Sequence, residues 1–186
     1  MTLKHALPIL AMLAGCGADG AANTAAYSGP VNVRLDKFKD GDVRNGAFDA
    51  DKSINTESGN PYGAFLQAAR RALGRDPAAV VVDRVTFTMG SDTRGVTTFE
   101  QVFTGSLIVY LASSSTTVNI GSVTNPSGAG PVEVDVDATR ASLDPIQRDL
   151  INGSFKLGIR VPAAAGRPQS FDVKVATTVY FRALAI

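Results

Sequence analysis

The sequence predicts a mainly β domain: an antiparallel two-sheet β-sandwich of about seven strands with one inserted α-helix near 61–73. Three observations lead there. Apolar and polar residues alternate with a period of two through most of the chain. A single stretch, from 60 to 74, carries helical periodicity with matching caps. Gly, Pro, Asn and Ser cluster between these segments, where turns belong.

Taken in order, Val31, Val33 and Leu35 share one face of a first strand. The helix follows: Asn60 suits the N-cap, Pro61 the first helical position and Gly74 the C-terminal cap. Between them Phe65, Leu66, Ala69, Ala72 and Leu73 make an apolar stripe, with Gln67, Arg70 and Arg71 outside it, so the helix closes one end or edge of the sandwich. Val85, Phe87 and Met89 form the next amphipathic strand. Leu107 to Leu111 is apolar on both faces and belongs in the middle of a sheet or under a covering element, and Thr117 to Val123 is a shorter, more polar strand. In Val132 to Ala138 every second residue is apolar and the others are acidic. A second, short helix is expected from Pro145 to about Gly153, capped by Asp144, with Ile146 and Leu150 inward. Phe155, Leu157, Ile159 and Val161 share a face, as do Phe171, Val173, Val175, Val179 and Phe181. Strands with one wet face come from antiparallel sheets, and seven apolar faces need a second sheet to cover them, in the Ig-like or transthyretin-like manner. A membrane barrel would turn its apolar residues outward and its polar ones to the lumen, and charges on a lipid face are costly.

The N-terminus reads as an address. Lys4 is followed by an apolar run from Ala6 to Ala14, broken only by Pro8, too short for a permanent span and suited to a removable export segment. The run ends in Leu13-Ala14-Gly15-Cys16, which resembles the lipobox of bacterial lipoproteins. That resemblance covers only the N-terminal signal. It implies that residues 1–15 are a signal peptide, that the Cys16 sulfur takes a diacylglycerol, and that its new amino group is acylated, with palmitate as a typical chain. Gly17, where an aspartate would favour inner-membrane retention, implies the outer membrane, with the domain facing the periplasm or the cell surface. Each buried acyl CH₂ contributes about 0.8 kcal/mol, so two or more chains anchor firmly. Residues 16–30 are small, polar and Gly/Ala-rich and read as a flexible tether, spanning on the order of 20 Å. Residues 31–186 are expected to form one domain.

Composition then narrows the chemistry. Cleavage before Cys16 removes Lys4 and His5 and no acid, so eighteen basic residues fall to seventeen against seventeen acidic ones. Balance of this kind, with no basic cluster larger than Arg70-Arg71, argues against nucleic acid as a partner. The matured chain would hold no histidine, no free thiol and no tryptophan. Ser-His-Asp and Cys-His arrangements are thereby closed, transition-metal sites nearly so, and neither Ser-x-x-Lys nor Gly-x-Ser-x-Gly occurs. Carboxylate chemistry remains open.

One stretch stands out between the first strand and the helix. Lys39 to Gly59 reads as a long irregular loop, and its centre places oxygen-bearing side chains at alternate positions: Asp49, Asp51, Ser53, Asn55 and Glu57. This resembles the opening of an EF-hand calcium loop. Ile54 stands where the turn needs glycine and Asn60 where a bidentate glutamate belongs, so the resemblance implies at most a Ca²⁺ site of another kind. The acidic row Glu133, Asp135, Asp137 is expected to be the wet side of a sheet, paired across strands with residues such as Lys156, Arg160 or Lys174. The sequence therefore points first to a non-catalytic, outer-membrane-anchored module that binds an envelope or surface protein. A calcium-assisted adhesive or glycan-binding module is the alternative, and a carboxylate-dependent hydrolase the third.

Overall fold

The computed structural model describes residues 25–185; the Leu13–Cys16 motif and most of the expected tether lie outside them. The elements are β1 (Ala26–Lys39), β2 (Ala47–Ile54), α1 (Pro61–Leu73), β3 (Ala79–Met89), β4 (Ser106–Ala112), β5 (Thr117–Thr124) and β6 (Val132–Val136), then α2 (Arg140–Leu143), α3 (Gln147–Asn152), β7 (Phe155–Pro162) and β8 (Asp172–Leu184). The strands make one antiparallel ribbon in the order β1-β8-β3-β6-β5-β4-β7-β2. Pairing is nested: β1 with β8, β2 with β7, β3 with β6, β4 with β5. The short β6 pairs with both β3 and β5 and so turns the corner between the two halves. The ribbon curls until β1 and β2 lie side by side without a ladder between them, a barrel left open along one seam.

This corrects the expectation of about seven strands in two sheets. Among the described residues there are eight strands in one continuous sheet. The eighth is β2, which occupies the centre of the stretch expected to be an irregular loop. Its alternation is ordinary once seen, with Phe48, Ala50 and Ile54 buried and Asp49, Asp51 and Ser53 on the other face. Asn45 and Gly46 both have positive φ, and Arg44 and Ala47 exchange two backbone bonds of 2.9 and 3.0 Å, giving a two-residue hairpin turn that launches β2. Strand β1 also begins before Val31. Residues 26–30 are part of β1, held by the ladder that starts at Ala26↔Leu184, and Tyr27 packs on Phe65.

Helix α1 forms as its caps require: Asn60 Oδ1 accepts from the Tyr62 N–H at 3.0 Å, and Gly74 takes the left-handed conformation. Its buried face is Tyr62, Gly63, Phe65, Leu66 and Ala69, laid along β1, while Ala72 is exposed. The later helical segment begins five residues earlier than expected. Thr139, not Asp144, is its cap, accepting from the Ser142 N–H at 3.2 Å; Gly153 ends it, and Ile146 and Leu150 are buried.

Aromatic residues fill the two ends of the interior. Tyr62, Phe65, Phe155 and Phe181 meet edge-on or tilted under α1, and Phe38, Phe48, Phe99 and Phe103 meet at the other end. Each such ring contributes about 1.5–3 kcal/mol on leaving water. Tyr62 is fully buried, and its hydroxyl donates to the Leu150 carbonyl at 2.8 Å, tying α1 to α3.

One core position breaks the pattern. Thr177 faces inward on β8 between Val33 and Phe87, is 1% exposed, and its Oγ1 has no hydrogen-bond partner among the described residues. A buried hydroxyl without a partner costs about 1–3 kcal/mol. Thr177→Val is therefore expected to raise stability by roughly 1 kcal/mol, read as a higher urea midpoint at unchanged slope; a loss of stability would mean that the hydroxyl is engaged.

Candidate functional site

The open seam makes a groove of about 630 Å³ lined by Lys37 of β1, Asp51, Lys52 and Ser53 of β2, and Asn55, Glu57 and Asn60 of the segment leading into α1. Local bonds shape its floor. Asn55 Oδ1 accepts from the Glu57 N–H at 3.2 Å and from Asn60 Nδ2 at 3.0 Å, so the end of β2 is fastened to the residue that caps α1. Gly63 lies so close to the Thr56 backbone that a Cβ there would sit 3.1 Å from its carbonyl oxygen. Across the mouth of the groove, Lys37 Nζ stands 3.5 Å from Asp51, and Lys156 Nζ 3.3 Å from the other oxygen of the same carboxylate.

The five residues read as cation ligands are thus distributed along an extended strand and a turn. Asp49, Asp51 and Ser53 project from one face of β2, where backbone pleating explains the alternate spacing without any curled loop. Asn55 is spent on the turn into α1, and Glu57 is exposed. Both aspartates face cations of the protein. No group of three or more His, Cys, Asp or Glu side chains arranged to hold a metal occurs among the described residues.

Asp49 is the most fully engaged. The Tyr110 hydroxyl donates to its Oδ1 at 2.6 Å, and Arg160 donates to Oδ2 through Nε at 3.0 Å and Nη2 at 2.7 Å. The hydrogen bond to Asp49 holds the Arg160 guanidinium above its ordinary range. Tyr110 belongs to the strand that is apolar on both faces, and its ring lies across Gly158, its ladder partner, with Arg160 over it at 5.5 Å. Burial first, and then the bond to Asp49, push the Tyr110 phenol up.

The acidic row differs from its expected pairing. Glu133, Asp135 and Asp137 are exposed, and β6 neighbours β3 and β5, not the strands that carry the basic residues. Lys156 and Arg160 pair with Asp51 and Asp49, while Lys174 joins Asp172 at 2.8 Å and Asp36 at 3.8 Å. Lys174 belongs to a wider chain of ions on the outer face, in which Lys39 also meets Asp172 and Arg34 bridges Asp36 and Asp92. Sequence reasoning misses Lys37, Tyr110, Gly158 and Arg160 as neighbours of the β2 aspartates. Asn45-Gly46, a hairpin signal in its own right, was the feature able to reveal β2 and its partners.

No protein-family model and no curated protein matches the sequence. Among solved structures, a chain described as Desmodium yellow mottle tymovirus aligns at 13% identity over 100% of this chain and 96% of that one, with a TM-score of 0.31.

Two outcomes follow from the Tyr110 cluster. A Cβ at position 158 would run into the Tyr110 ring, so Gly158→Ala is expected to cost about 2 kcal/mol in chemical unfolding, and far less in a Tyr110→Ala background. For Tyr62 and Tyr110 the folded state binds the phenolic proton more tightly than the unfolded state, whose value is the ordinary 10.0. Their contribution is complete below pH 10 and is lost as pH rises beyond it. Alkaline titration should show their phenolate absorbance appearing together with unfolding, and Tyr110→Phe should weaken the pH dependence.

Proposed function

We propose that the chain is an acylated envelope lipoprotein whose domain is a non-catalytic module binding another protein through the seam groove. Its nested strand order is read as a jelly roll, an eight-stranded winding in which two half-sheets cover one core. The observation that carries the reading is the way the site spends its chemistry. Asp49 serves Tyr110 and Arg160, Asp51 serves Lys37 and Lys156, and Asn55 and Asn60 serve the turn into α1. A general acid or base needs a carboxylate free to exchange a proton with substrate. Here Asp49 and Asp51 face a phenol and cations of the protein itself. What the groove offers outward is Lys52, Ser53, Glu57 and the rim of a long open cleft, chemistry suited to the polar surface of a partner.

Anchoring rests on the Leu13-Ala14-Gly15-Cys16 motif, and mass spectrometry of the protein from its native membrane tests it: an acylated Cys16 at the N-terminus is the expected species. The groove is tested by a photo-crosslinking side chain placed at Ser53 in living cells. A discrete adduct with one protein is expected, absent when the same group stands at Ser91 beyond the far end of β3 and reduced at least about fivefold by Lys52→Glu. Recovery of the protein as a lone monomer, with no adduct from Ser53, would overturn the reading.

A further inference from the structure

The turn that launches β2 joins an asparagine to a glycine. Arg44 and Ala47 exchange both backbone bonds around it, and the Gly46 carbonyl accepts from the Ala163 N–H at 2.8 Å. Asn45 and Gly46 themselves are exposed. Neither the Asn45 carboxamide nor the Gly46 N–H has a hydrogen-bond partner among the described residues. Asp42, Asp49, Arg44 and Arg160 stand around the turn, two acids and two arginines. The sequence holds a second such dipeptide, Asn152-Gly153, at the end of α3. There the glycine is buried and its N–H donates to the Leu150 carbonyl at 3.2 Å.

We infer that Asn45 is a site of spontaneous deamidation, sealed while the hairpin is closed, and that its conversion releases β2. Hydroxide takes the Gly46 amide proton, and the nitrogen attacks Asn45 Cγ. As the new N–Cγ bond closes a five-membered succinimide, the Cγ–Nδ2 bond breaks and ammonia leaves with a proton from water. A second water then opens either carbonyl of the ring, giving aspartate or isoaspartate. The seal is conformational. The φ values of 51° and 76° are those of a type I′ turn, whose first central residue takes ψ of about +30°. That ψ sets the Gly46 nitrogen anti to Asn45 Cβ across the Cα–C bond, whereas the ring needs both on the same side. Closure requires a rotation of more than a right angle there, which breaks the exchange between Arg44 and Ala47. Isoaspartate then carries the main chain through Cβ and lengthens the turn by one carbon, so the twist that matches β2 to its single ladder partner β7 is lost.

The full chain is held in mildly alkaline buffer, with and without urea, and the peptides containing Asn45 and Asn152 are followed by mass spectrometry for loss of ammonia and gain of water. In urea the two sites should convert at comparable rates. In the native protein Asn45 should convert at least about tenfold more slowly than in urea, yet at least about fivefold faster than Asn152, because an edge hairpin opens more readily than a buried glycine held in a helix cap. The isoaspartate form, separated by chromatography, should exchange its amide hydrogens over residues 47–54 faster than the unconverted chain. A native Asn45 rate equal to that in urea overturns the seal. No conversion of Asn45 in the native protein, or none beyond that of Asn152, overturns the site. Unchanged exchange in the isoaspartate form overturns the release of β2.

Discussion

A sheet that curls without closing leaves two edges, and the rest of the structure is organised around them. Strands β1 and β2 run beside one another unpaired, each presenting backbone donors and acceptors that invite another strand. Helix α1 lies along β1, with Tyr27 against Phe65. Farther along, β1 carries Arg34, Asp36, Lys37 and Lys39, all exposed, and its register shifts between Leu35 and Phe38. Charge and irregularity are the usual defences of an edge, and both are concentrated where the helix no longer reaches. The Lys37–Asp51 ion pair then spans what the backbone does not.

The same seam explains why the groove and the β2 aspartates coincide. An edge strand with one wet face must carry polar residues, and β7 beside it supplies Lys156 and Arg160 at matching register: Asp49 opposes Arg160, and Asp51 opposes Gly158, flanked by Lys156. Solvent-exposed pairs of this kind contribute little individually, about 0–1 kcal/mol. The Asp49 cluster is better placed, since the carboxylate accepts twice from Arg160 at one oxygen and once, at the other, from Tyr110, a residue 5% exposed. Its worth lies in specifying register. Slipping β2 by one residue would put Phe48 in water and bring Asp49 into the core.

Much of this was legible in the residues. Most strands announce themselves by period-two alternation, β4 by a run apolar on both faces, and α1 by Asn60, Pro61 and Gly74, because those signals are local. Strand β2 was obscured because alternate oxygens carry two meanings, a pleated face or a curled ligand loop, and the spacing of Asp49, Asp51 and Ser53 is the same in both. Lys52, exposed between Ala50 and Ile54, further blurs the apolar side. Nested pairing is another matter. β1 and β8 stand at opposite ends of the sequence, and nothing in either strand names the other; the choice is made by burying all the apolar faces in one interior. For the same reason Arg160 and Tyr110, distant in sequence from Asp49, were invisible as its partners. Thr177 shows the converse: its inward place was implied by the alternation of β8, yet its hydroxyl is at odds with that place.

Nested winding also brings the two ends of the described chain together. Because the first strand pairs antiparallel with the last, the start of β1 and the end of β8 must meet at one pole, in a register starting at Ala26↔Leu184. The sequence alone suggested that the folded part starts only after Pro30. The ladder takes in residues 26–30, five residues that the alternation from Val31 onward did not claim. The seam groove runs alongside β1, with Lys37 toward the end of that strand far from this shared pole.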